Sequence, residues 1–443
     1  MANRASGTRG LATRGLATSD ALAVDFGTSN SAAAVPEGGA VRRLPIERGA
    51  ETLPTAVFFP RVPEALAGSE RGAMRIGQRA VDALIEGEEG RFMHALKSVL
   101  GTALLHEARF LSGRRRTLAE AITAFLAEVK RRAEAEAGRP FASVLSGRPV
   151  RFHSDDATAD ARAEDDLRAC YLAAGFEEVA FLTEPEAAAI ASAGAAGAGD
   201  AGGIGLVVDI GGGTSDFSVF RGGAGERPVI LATGGIRLGG TDFDRALSIA
   251  RVMPELGLGT QLRRDMGPGL IPVPRAPFVD LATWVRIPFL YTPETRAMVE
   301  RMALVAVEPR HMERMAHVLE MEGGHDLAFA VERGKIAVND SGDAGAIAMD
   351  AAERGLSVPL DPADLDAVLA GERLRLREAA AATLASAGVA PGEVGRVVLI
   401  GGSSLLRLVR REMAALCPRA AMVPGSARTA VVDGLALAIA DRG

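Results

Sequence analysis

Two segments of the chain share one pattern of apolar and polar positions. In residues 206–220 an apolar run ends at Asp209, passes through three consecutive glycines and resumes with apolar side chains at alternate positions. Residues 21–35 repeat this pattern, with Asp25 at the end of the run and Gly27 in the turn. An apolar run, a glycine turn and a return with alternation are typical of a β-hairpin. We therefore predict two hairpins of the same design and an internal duplication.

The glycine turn of the second hairpin has the parts of a phosphate site. Gly211, Gly212 and Gly213 have no Cβ atoms, so their N–H groups can approach an anion closely, and the Thr214 hydroxyl adds a donor. Asp209 is placed to hold a hydrated divalent ion against that anion. The pattern predicts a magnesium–nucleotide phosphate site, gripped from its other side by the first hairpin. The alternative is a glycine-rich hairpin without a ligand.

Helical periodicity and breaker residues organise the rest of the chain. Residues 79–100 are helix-like, and residues 118–137 have apolar residues at strong helical spacing with an Arg/Glu face. Residues 154–175 begin with an acidic run, which could form a metal site but more simply favours the start of a helix. A strand followed by Glu184 and a proline opens an alanine-rich helix, and a last helix is predicted over roughly 427–440.

Composition narrows the classes of protein. The 443 residues are 48% hydrophobic and 24% charged with a net charge of -6, which fits an ordinary globular protein of two lobes and gives no sign of nucleic-acid or membrane binding. No apolar run reaches the roughly 18 residues that cross a bilayer. Cys170 and Cys417 fit helix packing in a reducing compartment, so we expect a cytoplasmic protein.

A glycine- and alanine-rich stretch, residues 194–205, marks the boundary between lobes. It contains a formal G-x-G-x-x-G, but these glycines precede a strand instead of joining a strand to a helix, so we interpret them as a linker. We predict a disordered leader over 1–20, for which an organelle transit peptide is the alternative, lobe I over 21–203 and lobe II over 204–443. Lobe II includes a variable subdomain at about 245–330, and its C-terminal helix is expected to return toward lobe I.

With the two Asp–Gly hairpins, the Glu–Pro helix and a G-G-S turn at 401–403 in this order, the chain resembles the actin-like ATPase superfamily. It is most similar to the DnaK-type heat-shock-protein-70 family. The segments K-S-x-L-G, G-R-P-x-x-F and K-I-A resemble the short YegD-like branch. The resemblance spans about residues 21–440 and is weakest over 251–325. It implies an α/β two-lobed actin-like ATPase fold, a duplicated mixed sheet with flanking helices and a nucleotide cleft between the lobes.

The resemblance also implies roles for individual residues. ATP or ADP with Mg²⁺ would be the ligand, and Asp25 and Asp209 would hold the magnesium ion through water. The catalytic positions would be Lys97, Glu184, Asp209 and Thr214. A proline–arginine relay between nucleotide state and lobe rotation would map to Pro149 and Arg151. The nucleotide-binding positions would be Gly27, Thr28, Ser29, Asn30, Gly211, Gly212, Gly213, Thr214, Glu332, Lys335, Gly401, Gly402 and Ser403.

The adenosine side departs from the family pattern at two positions. Ile336 and Leu405 stand where the family has arginines that sandwich the base. An apolar slot still holds a base by burial at roughly 25 cal/mol per Å², but each lost cation removes roughly 0.5–2 kcal/mol of stacking. We therefore expect ATP binding weaker than in full-length chaperones, tightened by Leu405→Arg. The sequence leaves open which base is preferred.

The resemblance favours a chaperone-like switch that binds Mg-ATP and hydrolyses it slowly. Family members continue into a peptide-binding domain, whereas this sequence ends at Gly443, so client binding in the usual manner is not expected. An unidentified protein partner is expected instead, with residues 251–325 as its contact surface. The alternatives are a nucleotide-bound scaffold or filament-forming protein with vestigial hydrolysis and a small-metabolite kinase, because this fold also supports that chemistry.

Overall fold

The structure is a computed structural model that describes residues 21–66, 68–153, 156–195, 203–222, 228–264, 267–425 and 429–440. The expected leader and most of the expected linker lie outside these residues. In chain order the strands are β1 (Ala21–Phe26), β2 (Asn30–Glu37), β3 (Ala40–Leu44), β4 (Thr52–Pro54), β5 (Ala56–Pro60), β6 (Arg75–Ile76), β7 (Gly90–His94), β8 (Arg109–Leu111), β9 (Arg114–Arg116), β10 (Ser143–Arg148), β11 (Glu178–Thr183), β12 (Ile204–Ile210), β13 (Ser215–Arg221), β14 (Val229–Ile236), β15 (Gln261–Arg263), β16 (Leu270–Pro272), β17 (Gly345–Ala348), β18 (Ser357–Leu360), β19 (Val394–Ile400) and β20 (Ala421–Pro424).

Helices separate and cover these strands. In chain order they are α1 (Gln78–Ile85), α2 (Ala103–His106), α3 (Leu118–Ala137), α4 (Ala157–Ala173), α5 (Glu184–Ala195), α6 (Gly240–Leu247), α7 (Ala276–Leu281), α8 (Pro293–Val305), α9 (Pro309–Glu320), α10 (Gly324–Ser341), α11 (Pro362–Val368), α12 (Ala370–Ser386), α13 (Arg407–Leu416) and α14 (Ala430–Ala440). No helix in these ranges is both long and apolar enough to span a bilayer.

Two mixed sheets have the same topology. The first has the order β11-β10-β1-β2-β3, with β4 also paired to β2, and the second has the order β14-β13-β12-β19-β20. In each sheet the leading strand forms an antiparallel hairpin with its successor and a parallel pair with a strand much later in the chain. The two predicted hairpins are therefore equivalent elements, and the predicted duplication of the mixed sheet is confirmed.

The core strands are apolar because both faces of each sheet are covered. β1 and β12 contain fully buried aliphatic residues at successive positions, as expected for strands covered on both faces. Small alanine side chains dominate one face of β1 and β2, where α5 and α14 pack. Aromatic and larger aliphatic side chains fill the opposite face, beneath α3 and α4. The two sides of the first sheet thus differ in the size of the residues that they bury.

The last helix packs against the first strands. α14 contacts α5, β1 and β2, and Arg43 on β3 forms a bidentate ion pair with Asp433, both N···O distances being 2.8 Å. At Gly434 a Cβ atom would lie 1.7 Å from the carbonyl oxygen of Ala187 on α5. The two helices therefore touch backbone to backbone, a contact that only glycine allows.

Three local expectations have different outcomes. The helix over 118–137 is confirmed by α3, which has a capping box between Thr117 and Glu120. The helix over 79–100 is wrong beyond α1, because residues 90–94 form β7 and pair with β5. The acidic run starts a helix as expected, since Asp156 caps α4 by accepting two backbone N–H bonds; Asp155 lies outside the described residues.

Candidate functional site

The turns of the two hairpins lie against each other. A Cβ atom at Gly212 would lie 2.6 Å from Oγ of Ser29 and 3.1 Å from Cβ of Thr28. A Cβ atom at Gly27 would lie 2.2 Å from the carbonyl oxygen of Asn30. Gly212 is therefore needed for the approach of the two turns and Gly27 for the tightness of its own turn, so the donors of both turns converge on one place.

A cavity of about 450 Å³ opens from these turns. It brings together every residue for which the sequence predicts a catalytic, nucleotide or metal role except Gly213, which lies behind Thr28. The predicted residues among its lining are Asp25, Gly27, Thr28, Ser29, Asn30, Lys97, Glu184, Asp209, Gly211, Gly212, Thr214, Glu332, Lys335, Gly401, Gly402 and Ser403. These positions come from distant parts of the chain, so the fold has assembled a single site.

Lys97 and Glu184 form a buried ion pair beside the turns. The ammonium donates to the Glu184 carboxylate, and the residues are 6% and 8% exposed. Lys97 lies in a short 3₁₀ turn after β7, whereas Glu184 is the first residue of α5. Burial alone would lower the pKa of Lys97, but the carboxylates of Glu184 and Asp25 raise it, so the lysine stays charged.

Carboxylates outnumber ammonium groups at this end of the cavity. Burial and the charge of Glu184 raise the pKa of Asp25 to about 7, although Lys97 opposes the shift. The same two causes raise the pKa of Asp216 to about 8, and they hold that of Asp209 well above its usual value. Lys97 faces four acids here, so the cluster carries excess negative charge when it is ionised.

This charge imbalance fits a divalent cation near the phosphate turns. Carboxylate oxygens are preferred ligands of Mg²⁺, which keeps several waters in such sites. No group of three or more His, Cys, Asp or Glu side chains within the described ranges is arranged to coordinate a metal directly. Asp25 and Asp209 therefore fit an ion held through water and ligand oxygens better than an ion held by protein atoms alone.

A second buried ion pair lies further along the cavity. Nζ of Lys335 on α10 lies 2.6 Å from Oδ1 of Asp244 on α6. Burial raises the pKa of Asp244, and the adjacent ammonium lowers it. Glu332 lies one helical turn before Lys335, and burial together with the charge of Asp244 raises its pKa. Lysine and glutamate thus present a donor and an acceptor to the same part of the cavity.

The far end of the cavity is aliphatic and open. Ile336 is 45% exposed and Leu405 is 60% exposed, although both line the cavity. Asn339 connects their two elements: its Oδ1 accepts the backbone N–H of Arg407 at 2.7 Å, and its Nδ2 donates to Oδ1 of Asp340 at 3.0 Å. Asp340 is also part of the lining.

Backbone contacts connect the two sheets at the phosphate end. The N–H of Val150 donates to Oδ1 of Asp216 on β13 at 2.6 Å. Arg237, after β14, donates to the carbonyl oxygen of Ser98, next to Lys97, at 3.1 Å. Pro149 precedes the first of these contacts, whereas Arg151 is exposed and does not line the cavity. The segment around Val150 thus connects β10 to the carboxylate cluster.

Aromatic side chains cross the cleft above the phosphate end, and we call them the aromatic roof. Its members are Phe92 and His94 on β7, Trp284 after α7, and His325 and Phe329 on α10. The ring centroids of His94 and Trp284 are 5.2 Å apart, and those of Trp284 and Phe329 are 4.9 Å apart. Trp284 and His94 also line the cavity. The roof joins the two halves of the molecule by apolar contact.

Several residues in or beside the cavity were missed by reasoning from the sequence. Asp216 is the cross-strand partner of Asp209 in the β12–β13 register, so the hairpin prediction alone contained the signal for it. Asp244 follows the Gly239–Gly240 turn at the start of α6, and that glycine turn was a local signal from which it could have been found. His94 and Trp284 had no such signal, because their proximity depends on the tertiary fold.

The two equivalent mixed sheets and the polar cavity between them define a class of two-lobed α/β proteins, the actin-like ATPase fold. A family model described as Hsp70 protein matches residues 21–252, slightly more than half of the chain. The chain belongs to the Hsp70 family.

The curated relatives are chaperone proteins DnaK. The chain is 34% identical over 229 residues to that of Endomicrobium trichonymphae, a match that covers 51% of this chain and 34% of the relative. It is 32% identical to that of Cenarchaeum symbiosum (strain A) and 33% identical to that of Thermoplasma acidophilum, each over 51% of this chain and 32% and 34% of the relative. The matched region is thus about a third of the length of these relatives.

Proposed function

We propose that the chain is a magnesium-dependent nucleotide switch that binds ATP, hydrolyses it slowly and changes its contacts with a protein partner as the cleft opens and closes. The observation that carries the proposal is the convergence of both glycine turns with the Lys97–Glu184 pair in one cavity. The match to chaperone relatives supports the same class of function. We expect it to act in the cytoplasm, and its place in the short YegD-like branch stays a prediction.

The roles proposed for the phosphate end follow from donors and charges. Gly27, Thr28, Ser29 and Asn30 would face one side of the phosphate chain, and Gly211, Gly212, Gly213 and Thr214 the other. Asp25 and Asp209 would hold the magnesium ion through water. When bound, this ion neutralises charge on the phosphate oxygens. A third turn, formed by Gly401, Gly402 and Ser403, adds backbone donors beside the same cavity.

Lys97 and Glu184 are proposed to act on the attacking water. The Lys97 ammonium would offset the charge that develops on the transferred phosphoryl group. Glu184 would accept a hydrogen bond from the water and orient it, with Asp209 and Thr214 nearby. Lys335 and Glu332 would donate to and accept from the ribose hydroxyls. Positioning and electrostatics therefore do most of the work, which fits slow turnover.

The partner surface is proposed to lie within residues 251–325. This region exposes large apolar side chains, including Leu304 at 84% and Met321 at 65%. β16, at the edge of its two-stranded sheet, adds the exposed Leu270 and Ile271. Contiguous exposed apolar groups mark contact surfaces on proteins, and we propose that these residues contribute to one.

The test is calorimetric titration of the full chain with ADP and ATP, with and without Mg²⁺. We expect saturable binding that needs Mg²⁺. The affinity should weaken at least roughly tenfold in Asp209→Asn, because the variant loses the carboxylate charge that would hold the hydrated magnesium ion. Asp343→Asn, a surface acid outside the cavity, is the matched control and should bind as the wild type does.

A Lys97 variant tests the proposed chemistry, but a single substitution leaves the buried Glu184 carboxylate unpaired and can destabilise the fold. Removing one partner of a buried ion pair costs about 3–5 kcal/mol, whereas replacing both partners with neutral groups costs less. We therefore compare Lys97→Met with the double variant Lys97→Met/Glu184→Gln. The double variant should unfold near the wild-type denaturant midpoint and bind ADP, yet release phosphate from ATP far more slowly. Absence of nucleotide binding in the wild-type chain would contradict the proposal and favour a scaffold.

A further inference from the structure

The end of the cavity opposite the phosphate turns has aliphatic walls and, within the described part of the chain, no cationic side chain over the base position. Among the described residues that line the cavity there is no arginine, and its two lysines lie at the phosphate and ribose positions. The walls at this end are the side chains of Ile336 and Leu405. Aliphatic walls stabilise any planar base by burial and do not distinguish one purine from another.

Asn339 is not free to read a base, because its amide is engaged by the protein. Its Oδ1 accepts the N–H of Arg407, and its Nδ2 donates to Asp340 and, at 3.4 Å, to the carbonyl oxygen of Leu405. These bonds hold the end of α10 against the 401–407 segment. The amide thus fixes the width of the slot, and its donors and acceptor are used within the protein.

Asp340 is a polar lining residue at this end, and its carboxylate retains an unused acceptor. Its Oδ1 accepts from Asn339, and no described residue donates a hydrogen bond to its Oδ2. A carboxylate accepts hydrogen bonds and donates none when it is ionised. An aspartate in the last turn of a helix is also unfavourable toward the helix dipole, so helix stability does not explain its presence at this position.

The two purines present different edges to such an acceptor. Guanine has adjacent N1–H and N2–H donors, which a carboxylate can accept together. Adenine has its N6–H donor next to the N1 lone pair, which a carboxylate repels. Hydrogen bonds to an ionised acceptor are roughly twice as strong as neutral ones, and an unpaired polar edge in a formed site is a strong source of discrimination.

We propose that this cleft accepts guanine nucleotides at least as well as adenine nucleotides, with the Asp340 carboxylate receiving the N–H edge of guanine. This inference rests on the proposed function, because it assumes that the cavity binds a magnesium–nucleotide. It extends that function by naming purine nucleotides, with no selection for adenine, as the ligand class.

The experiment is calorimetric titration of the full chain with the magnesium complexes of ADP, GDP and inosine diphosphate. Diphosphates avoid turnover, and inosine keeps N1–H but lacks the N2 amino group. We expect GDP to bind as tightly as ADP or more tightly. Inosine diphosphate should bind more weakly than GDP. In Asp340→Ala, GDP affinity should fall roughly tenfold while ADP affinity does not fall.

Two further variants separate edge recognition from stacking. Leu405→Arg adds a cation over the base and should tighten ADP and GDP alike. Asp343→Ala removes a nearby exposed acid outside the cavity and should change neither affinity. Both Asp340 and Leu405 are exposed, so these substitutions are compatible with folding.

The possible outcomes separate a failure of this inference from a failure of the proposed nucleotide switch. ADP binding tenfold or more tighter than GDP binding would overturn the inference and leave the nucleotide switch intact. An equal loss of ADP and GDP affinity in Asp340→Ala would overturn the role of the carboxylate. Failure of every diphosphate to bind would overturn the nucleotide switch and the inference together.

Discussion

Burial shifts the pKa values of acids and histidines around the cleft in opposite directions. It raises the pKa of Asp25 to about 7, because a carboxylate loses hydration when ionised. It lowers the pKa of His94 to about 4 and that of His325 to about 3, because an imidazolium loses hydration in the same way. Nδ1 of His94 and Nε2 of His325 have no hydrogen-bond partner in the described part of the chain. The aromatic roof therefore requires neutral histidines.

The two roof histidines should make the protein less stable in acid. An unfolded histidine titrates near 6.5, so between that pH and the lower folded pKa the unfolded chain binds more protons than the folded one. Their contribution to the free energy of unfolding is thus complete above pH 6.5 and is lost as the pH falls toward 4. We expect the double variant His94→Leu/His325→Leu to lose less stability than the wild type when the pH falls from 7.5 to 4.5. The difference in the free energy of unfolding should be up to about 2 kcal/mol for each histidine.

Urea unfolding at a series of pH values measures this effect. The raised carboxylate pKa values act in the opposite sense, so the histidine contribution is the difference between wild type and variant. His317→Gln, at an exposed histidine on α9, is the control and should follow the wild-type curve. A double variant whose stability changes with pH as the wild type's does would contradict this origin of acid sensitivity.

Predictability from the sequence differs sharply among these residues. Asp25, Asp209 and the glycines follow from local pattern, because a turn that approaches an anion constrains neighbouring positions in the chain. Lys97 becomes recognisable only through its motif. His94 and Trp284 come from segments far apart in the chain, and nothing local to either segment indicates their contact. Long-range placement therefore limited the prediction of the site.

Among the elements, pattern predicted α3 well and failed at β7. α3 has a capping box, a continuous apolar face and a glycine end, all local signals that agree. β7 is five residues long, and its conformation depends on pairing with β5. Tertiary pairing overrides helical propensity in such short segments. The last helix was expected to return toward lobe I, but its backbone contact with α5 was visible only in the assembled fold.

The closeness of α5 and α14 should make Gly434 irreplaceable. In Gly434→Ala the new methyl group would overlap the Ala187 carbonyl, which belongs to backbone and cannot move as a side chain would. We expect a loss of about 2–4 kcal/mol in the free energy of unfolding, comparable to severe overpacking.

Gly371 provides the matched control for this substitution. It lies in the first turn of α12, and a Cβ atom there would meet nothing within 4 Å. Gly371→Ala should therefore be neutral or stabilise by up to about 1 kcal/mol, because alanine has the higher helix propensity. Denaturant titration of both variants measures the difference, and equal effects would show that the helix contact is looser than described.

Across the whole molecule, the halves meet in polar contacts near the phosphate turns and in apolar contacts at the aromatic roof. Val285 and Phe289 pack on the core of the first half, and Arg109 lies over the Phe289 ring with its guanidinium carbon 4.1 Å from the centroid. Trp284 and His94 of the roof line the cavity, so we expect these contacts to loosen when a bound nucleotide leaves. Dissociation should therefore be limited by a conformational step.

Weakening the roof should speed nucleotide release. Trp284→Leu removes the edge contact with Phe329 while keeping an apolar side chain, and we expect ADP to dissociate roughly tenfold faster, since aromatic pairs are worth about 0.5–1.5 kcal/mol beyond their burial. Displacement of a fluorescent ADP analogue in stopped flow measures the rate. Trp284→Phe keeps a ring and should release ADP nearly as the wild type does; equal rates in all three proteins would contradict this account.

The pairing of Arg43 with Asp433 has a consequence for how the chain is made. These two residues are 390 positions apart in the sequence. At ribosomal rates of about 5–20 residues per second, α14 is synthesised roughly 20–80 seconds after β3. During that interval α5 is present, but the part of the alanine face of β1 and β2 that α14 covers is exposed. The first sheet of this fold is therefore completed only when synthesis of the chain is nearly finished.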